Sequence, residues 1–427
     1  MKKFFQIMAI FSFILVFLTS CSKTPHKKIV ITFWNAMNGA RGEALQTLVN
    51  QFNASHPRIF VKSVFKGSKA YYSNNYTILI RDLLLSLKKN DPPTMAQVYE
   101  NWTAQFIGAH AIVPLEKFIH EKNGYTPKDL QDFVPAFLKS NEPNGVLWTL
   151  PFNKSLYVLY YNKSLFKKEG LKPPATWDNF LTTAEELTFT GRNSKVIRYG
   201  FTDPPDENLF DIIFYALGGI YFKHGRADFN GEKGDYALRL IRQMKNEKIF
   251  FPDYHALQAF TEGKAAMYID TTAALPYLEA SAKFPIGISR VPGELKSISL
   301  FAGTNLAIFK KAAPAQKKAA WIFIKWLLKP DRTAWWAAHT GYLPVRISAI
   351  HSPVFVSYLK KHPEFKIPLQ QLGRAFTDPR VWAWESIRGI VGHEVEAAIF
   401  GRAKIKQALN KAAEKTNLLL AQSPQQR

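Results

Sequence analysis

The chain has 427 residues, more than one hydrophobic core usually organises, so two domains are expected. Its 47% hydrophobic and 21% charged residues are ordinary globular values and exclude wholesale disorder. Lys and Arg number 56 against 33 Asp and Glu, a formal charge of +23, which raises nucleic acid, an anionic membrane or an anionic ligand as partners. The basic residues are scattered doublets such as Lys27-Lys28, Lys167-Lys168 and Lys360-Lys361, without a block of like charge or an RNA-binding or zinc-finger motif. They read as solvated faces, and no nucleic-acid partner is expected.

At the N-terminus Lys2 and Lys3 precede an apolar run from Phe4 to Leu18, and Leu18-Thr19-Ser20-Cys21 resembles a bacterial lipobox. Residues 1–21 are read as a lipoprotein signal, cut before Cys21 with lipidation of that cysteine, and 22–28 as a tether. Cys21 is the single cysteine, so no disulfide or thiol chemistry is expected in the mature chain. The protein is expected outside the cytoplasm, held to the membrane by its lipid, because no later stretch is long and apolar enough to span a bilayer.

Ile29 to Trp34 reads as a buried strand, and Leu45, Leu48, Val49 and Phe52 recur at helical spacing until His56-Pro57. A strand over Ile59 to Phe65, a helix carrying Ile80, Leu84 and Leu87, and a strand over Met95 to Tyr99 follow. This β-α-β-α-β order predicts a mostly parallel sheet with helices on both faces, and ligands in such sheets sit beyond the carboxyl ends of the strands. Further on, Tyr157 to Tyr161 reads as a strand, Asn162 as a helix cap, and 315–336 as helices rich in Trp and Leu. Val391 to Leu420 reads as one long helix.

The histidines are dispersed, and neither a zinc spacing, a phosphate-binding loop, a dinucleotide fingerprint nor a nucleophile elbow is present. No metal, cofactor or catalytic residue is expected, and the chain reads as a binding protein rather than an enzyme.

Four stretches carry a resemblance. They are Ile31-Thr32-Phe33-Trp34-Asn35; Leu159 to Lys163 with Phe166 to Leu171; Phe260 to Met267; and Trp326 to Pro330 with Gly341-Tyr342-Leu343-Pro344. In this order they are similar to the bacterial extracellular solute-binding proteins that serve ABC importers. The resemblance implies an α/β, two-lobed fold of the periplasmic-binding-protein kind (type II), each lobe a mostly parallel sheet flanked by helices, with a hinge between. The expected boundaries are 28–153 plus 271–311 for lobe one and 154–270 plus 312–427 for lobe two. It also implies a monomer that binds a small molecule and delivers it to permease subunits.

Within that family the chain most resembles the glycerol-3-phosphate-binding branch, through Gln97-Val98-Tyr99-Glu100, Pro151-Phe152-Asn153-Lys154-Ser155, Ala302-Gly303-Thr304 and Ile387-Arg388-Gly389. That likeness implies ligand contacts at Glu100, Ser155, Thr271, Gly303, Tyr342 and Arg388. It also implies an aromatic after Lys66-Gly67, which is Tyr76 by ungapped counting or Tyr72 otherwise. Arg388 offers a planar fork to phosphate oxygens, and Glu100 accepts from glycerol hydroxyls. The branch carries two tryptophans, three apart, after the strand ending near Gly200, whereas 201–207 here reads Phe-Thr-Asp-Pro-Pro-Asp-Glu. Asp206 and Glu207 would repel a dianion or meet a cationic head such as choline, and Lys154 is expected to attract phosphate. A glycerol phosphate or its diester is the leading ligand, a sugar the alternative; an extracellular hydrolase and a polyanion-binding adhesin stay open as other classes.

Overall fold

The computed structural model describes residues 28–68, 75–293 and 299–422. Cys21, the signal segment and Tyr72 lie outside the described residues.

The strands are β1 (Ile29–Asn35), β2 (Ile59–Phe65), β3 (Met95–Val98), β4 (Leu150–Asn162), β5 (Val196–Asp203), β6 (Phe250–Pro252), β7 (Ala265–Thr271) and β8 (Ser299–Phe309). Read across, they lie in the order β6-β5-β7-β4-β8-β3-β1-β2. The outer pairs β1–β2, β1–β3, β5–β6 and β5–β7 are parallel, as the β-α-β order predicts. β4 and β8 run antiparallel to their neighbours and carry the chain across the middle. β4 changes partner within its length: Leu150 to Leu156 pair with β8, and Tyr157 to Tyr161 pair with β7. The predicted strand over Tyr157 to Tyr161 is thus the second half of a longer strand that joins two halves of the molecule.

Each half has its own core. In the first, α1 (Gly39–Ser55) sets Leu45, Leu48, Val49 and Phe52 against Ile31, Phe33 and Val61. Beside it α2 (Asn75–Lys88) and α3 (Glu100–Gly108) bury Leu79, Leu83, Trp102 and Phe106 against Ala96 and Phe309. In the second, α4 (Glu207–Ala216) buries Leu209, Phe210 and Ile213 with Phe201, Phe250 and Met267.

Two sequence expectations change. The expected boundaries place helices α5 (Pro314–Leu327) and α6 (Pro330–Thr340) in lobe two, yet they pack on the first core: Phe323 meets Phe52 edge-on at 4.9 Å, and Trp336 stacks on Phe152 at 4.9 Å. Each large aromatic so buried contributes about 1.5–3 kcal/mol, which fixes the helices to that sheet. The long helix expected over 391–420 is two, α7 (Trp384–Ile399) and α8 (Ile405–Ala421). They are separated at Gly401, whose φ of +74° turns the chain back on the second core.

Candidate functional site

A cavity of about 200 Å³ lies where the two halves face each other, lined by Tyr76, Tyr99, Glu100 and Trp102 from the first half and by Asn208, Asp378, Glu385 and Arg388 from the second. Lys154, Tyr157 and Gly303 line it from the crossing strands. It sits beyond the carboxyl end of β3, where a strand-to-helix turn sets the backbone of Tyr99 and Glu100 at the start of α3.

Tyr76 is placed by a buried chain of amides. Gln97 Oε1 accepts from the Ala36 backbone at 2.9 Å, and Gln97 Nε2 donates to Asn153 Oδ1 at 2.9 Å. Asn153 Nδ2 in turn donates to Tyr76 Oη at 3.1 Å. Gln97 and Asn153 are fully buried, so losing either partner would leave a polar group unsatisfied inside the protein. Gly303 has φ of +99°, and a Cβ there would stand 1.8 Å from the Asn153 carbonyl oxygen, so only glycine lets β8 come this close to β4.

The charged groups are mostly engaged with each other. Lys154 Nζ donates to Glu100 Oε1 at 2.5 Å, and Ser140 Oγ donates to the same oxygen at 3.0 Å. Burial pulls the Lys154 ammonium down, and the Glu100 carboxylate opposes that pull. Arg388 Nη2 donates to Glu207 Oε1 at 2.6 Å and to Asn208 Oδ1 at 3.0 Å. Glu385 Oε1 accepts from Asn101 Nδ2 at 3.0 Å and Trp102 Nε1 at 2.9 Å, tying α7 of the second half to α3 of the first. Burial raises the Asp378 carboxyl to about 6, with Arg388 holding it from going further.

The implied residues therefore divide. Tyr76, Glu100, Gly303 and Arg388 meet in one cavity, although they come from four separate stretches of sequence. Tyr342 stands just behind: its hydroxyl lies 3.4 Å from Tyr76 Oη, and its ring is parallel to Trp336 at 5.8 Å. Ser155 is buried in β4 opposite Ala302 and does not line the cavity. Thr271 lines a second cavity. Lys154 lines the first cavity, and its ammonium, expected to attract phosphate, is committed to Glu100. Asp206 caps α4 by accepting from the Asn208 backbone at 2.9 Å, and Glu207 backs Arg388; neither lines the first cavity. Sequence reasoning missed Trp102, Asp378 and Glu385. Trp102 stands two residues beyond Glu100 on the strand-end turn and was within reach of that rule, whereas Asp378 and Glu385 follow no motif.

Residues 48–366 match the model of a bacterial extracellular solute-binding protein family. The sn-glycerol-3-phosphate-binding periplasmic protein UgpB of Salmonella paratyphi A is 27% identical over 417 residues, covering 91% of this chain and 92% of that one. UgpB of Mycobacterium tuberculosis, solved in complex with glycerophosphocholine, superposes with a TM-score of 0.80 at 23% identity, covering 92% of this chain and 98% of that one. An ABC substrate-binding protein of Listeria monocytogenes, solved with cycloalternan, also gives 0.80, at 19% identity, covering 92% and 100%. These structures fix the two-lobed fold. The chain belongs to the bacterial extracellular solute-binding proteins, the non-enzymatic substrate-binding components of ABC importers.

Proposed function

We propose that the protein captures glycerol 3-phosphate or a glycerophosphodiester between its lobes and delivers it to an importer, held to the membrane through Cys21. The observation that carries this reading is the convergence of Tyr76, Glu100, Gly303 and Arg388 on one interlobe cavity, with Tyr342 bonded to Tyr76. The charge of the walls refines it. Glu100 is offset by Lys154 and Arg388 by Glu207, which leaves Asp378 and Glu385 in excess beside the aromatic rings of Tyr99 and Trp102. A cationic head fits such a wall better than a bare dianion does, because aromatic faces and carboxylates both attract an ammonium. A diester with a choline or amine head is therefore favoured over the monoester. Contacts from both lobes stabilise the closed form, which is how binding would drive closure.

Thermal unfolding of the mature protein with glycerol 3-phosphate, glycerophosphocholine, glycerophosphoethanolamine and maltose tests this. A ligand at a hundred times its Kd stabilises by about 2.7 kcal/mol, worth a few degrees in Tm. We expect the diesters to raise Tm most and Arg388→Ala, which leaves Glu207 without its cation, to remove the shift. A shift with maltose alone would replace the phosphate reading by a sugar on the same fold.

A further inference from the structure

Basic doublets that lie far apart in the sequence are gathered by the fold at one end of the first half. β1, β2 and β3 are parallel, so their amino ends lie together, at the end of the sheet opposite the first cavity. Lys28 precedes β1, and the Ile29 backbone N–H donates to the Arg58 carbonyl at 2.9 Å, which brings Arg58 alongside. α2 ends at Lys88, with Lys89 next, just before β3. β8 runs antiparallel to β3 and finishes at the same end: the Phe309 N–H donates to the Thr94 carbonyl at 3.0 Å, and Lys310 and Lys311 follow. α5 begins beside them, with Lys317 Nζ donating to the Lys310 carbonyl and Gln316 Nε2 to the Val30 carbonyl, each at 3.0 Å.

These four stretches, 28–30, 58–62, 88–94 and 310–318, hold nine Lys or Arg and one acid, Asp91. All nine cations except the half-buried Lys317 are exposed, and among the described residues none of the nine forms an ion pair. Like charges crowded in this way raise the local potential, which an anionic surface relieves. Two apolar side chains stand among them: Val30 and Phe60, register partners on β1 and β2, are 45% and 42% exposed. Cations with exposed apolar groups between them suit the headgroup region of an anionic bilayer, the cations meeting lipid phosphates and the apolar groups entering below them. The place of the anchor selects a bilayer over another polyanion. Cys21 lies seven residues before Lys28, and seven residues of extended chain reach at most about 25 Å. A lipid on Cys21 therefore keeps this end of the protein close to the membrane.

We infer that the basic end of the first half is a docking surface for an anionic lipid bilayer. The inference rests on the proposed anchor at Cys21 and goes beyond it: the tether brings the surface near, and the cations and Phe60 orient the molecule on it. In that pose the interlobe cavity, at the carboxyl end of the same strands, faces away from the bilayer and toward solute. Delivery then requires the protein to lift and turn on its tether, which contacts made by exposed, salt-screened charges permit.

Co-sedimentation of the mature chain carrying Cys21→Ser, which cannot be lipidated, with vesicles of phosphatidylcholine alone or of phosphatidylcholine and phosphatidylglycerol in equal parts tests it. Binding is expected to the mixed vesicles only, and to be lost between about 0.1 M and 1 M salt as the screening length falls from about 10 Å to about 3 Å. Lys311→Glu with Lys318→Glu is expected to weaken that binding roughly tenfold or more. The same change of charge on the second half, Lys404→Glu with Lys406→Glu at the start of α8, is expected to leave it within about twofold. Equal losses from the two pairs would mean attraction by overall charge and overturn the inference. Failure to bind the mixed vesicles, or equal binding to both kinds, would overturn it as well. Retention on heparin without vesicle binding would assign this end to a polyanion instead. The anchor is tested separately by the intact mass of the protein recovered from a bacterial membrane: a Cys21 without acyl groups overturns the anchoring reading, whereas the vesicles decide the surface.

Discussion

Lys154 is the most completely enclosed charge in the cleft, 2% exposed at its side chain with Nζ 2.5 Å from Glu100 Oε1. Removing two ions from water costs several kcal/mol each, and only close geometry with further hydrogen bonds offsets it. Here Ser140 Oγ supplies one of those bonds, at 3.0 Å to the same oxygen, and the Gly303 carbonyl receives Lys154 Nζ at 3.4 Å. Lys154→Ala would leave Glu100 buried without its cation, and we expect a loss of about 3–5 kcal/mol of stability. The double change Lys154→Met with Glu100→Gln should recover most of it, since neither residue then carries a charge. Urea unfolding reads both, as a lowered midpoint at unchanged slope for the single variant. A single variant as stable as wild type would mean that Glu100 is simply hydrated in the cleft. The sequence marked both residues as cleft residues but not as partners. Their pairing depends on β4 and β8 aligning Lys154 with Gly303, a register set by contacts far apart in the chain.

At the scale of elements, α3 and α7 close the cleft from opposite lobes, and Glu385 is the atom-level tie, accepting from both Asn101 and Trp102. Hydrogen bonds to a charged group contribute about 1.5–3 kcal/mol each when well placed, enough to shift a two-state lobe equilibrium by a large factor. Glu385→Ala should therefore open the ligand-free protein, seen as a larger radius of gyration by small-angle scattering, and weaken ligand binding about tenfold. An unchanged radius would show that the lobes close without this tie. How legible each element was depended on where its apolar stripe points. The α1 stripe Leu45, Leu48, Val49, Phe52 had one sheet beside it in sequence and was readable. The Trp-rich helices α5 and α6 were readable as helices, but nothing local says which sheet they cover. Their partners Phe52 and Phe152 lie more than a hundred residues earlier. The break between α7 and α8 turned on Gly401 alone, whose neighbours Phe400 and Arg402 carry no further stop signal.

For the whole molecule, a chain of formal net charge +23 encloses a cleft whose uncompensated groups are acids, so bulk charge says little about the ligand. Asp378 in the cleft and Asp206, the buried cap of α4 outside the cavity, make stability depend on pH in an unusual direction. Burial lifts the Asp378 carboxyl to about 6; burial and then Glu207 lift Asp206 to about 7; both stand above the ordinary value of 3.8. Between about pH 4 and pH 7 the folded protein binds more protons than the unfolded chain, so stability falls as pH rises through that window. Each raised carboxyl contributes up to about 1.4 kcal/mol per pH unit of its own window. We expect the ligand-free Tm to be higher at pH 5 than at pH 7.5, opposite to the usual trend for ion-paired carboxylates. Ligand binding runs the other way. Asp378 faces the cavity beside Arg388, Glu100 and Glu385, and a cationic head bound there favours its ionised form. Protonation should then compete with glycerophosphocholine, so that its Kd rises about tenfold from pH 7.5 to pH 5, one unit below the Asp378 value. Calorimetry at the two pH values, repeated on Asp378→Asn, separates the causes: the variant should lose the pH dependence together with part of the affinity. A wild-type affinity that stays level across the range would place the cationic head away from Asp378 and return the monoester to equal standing.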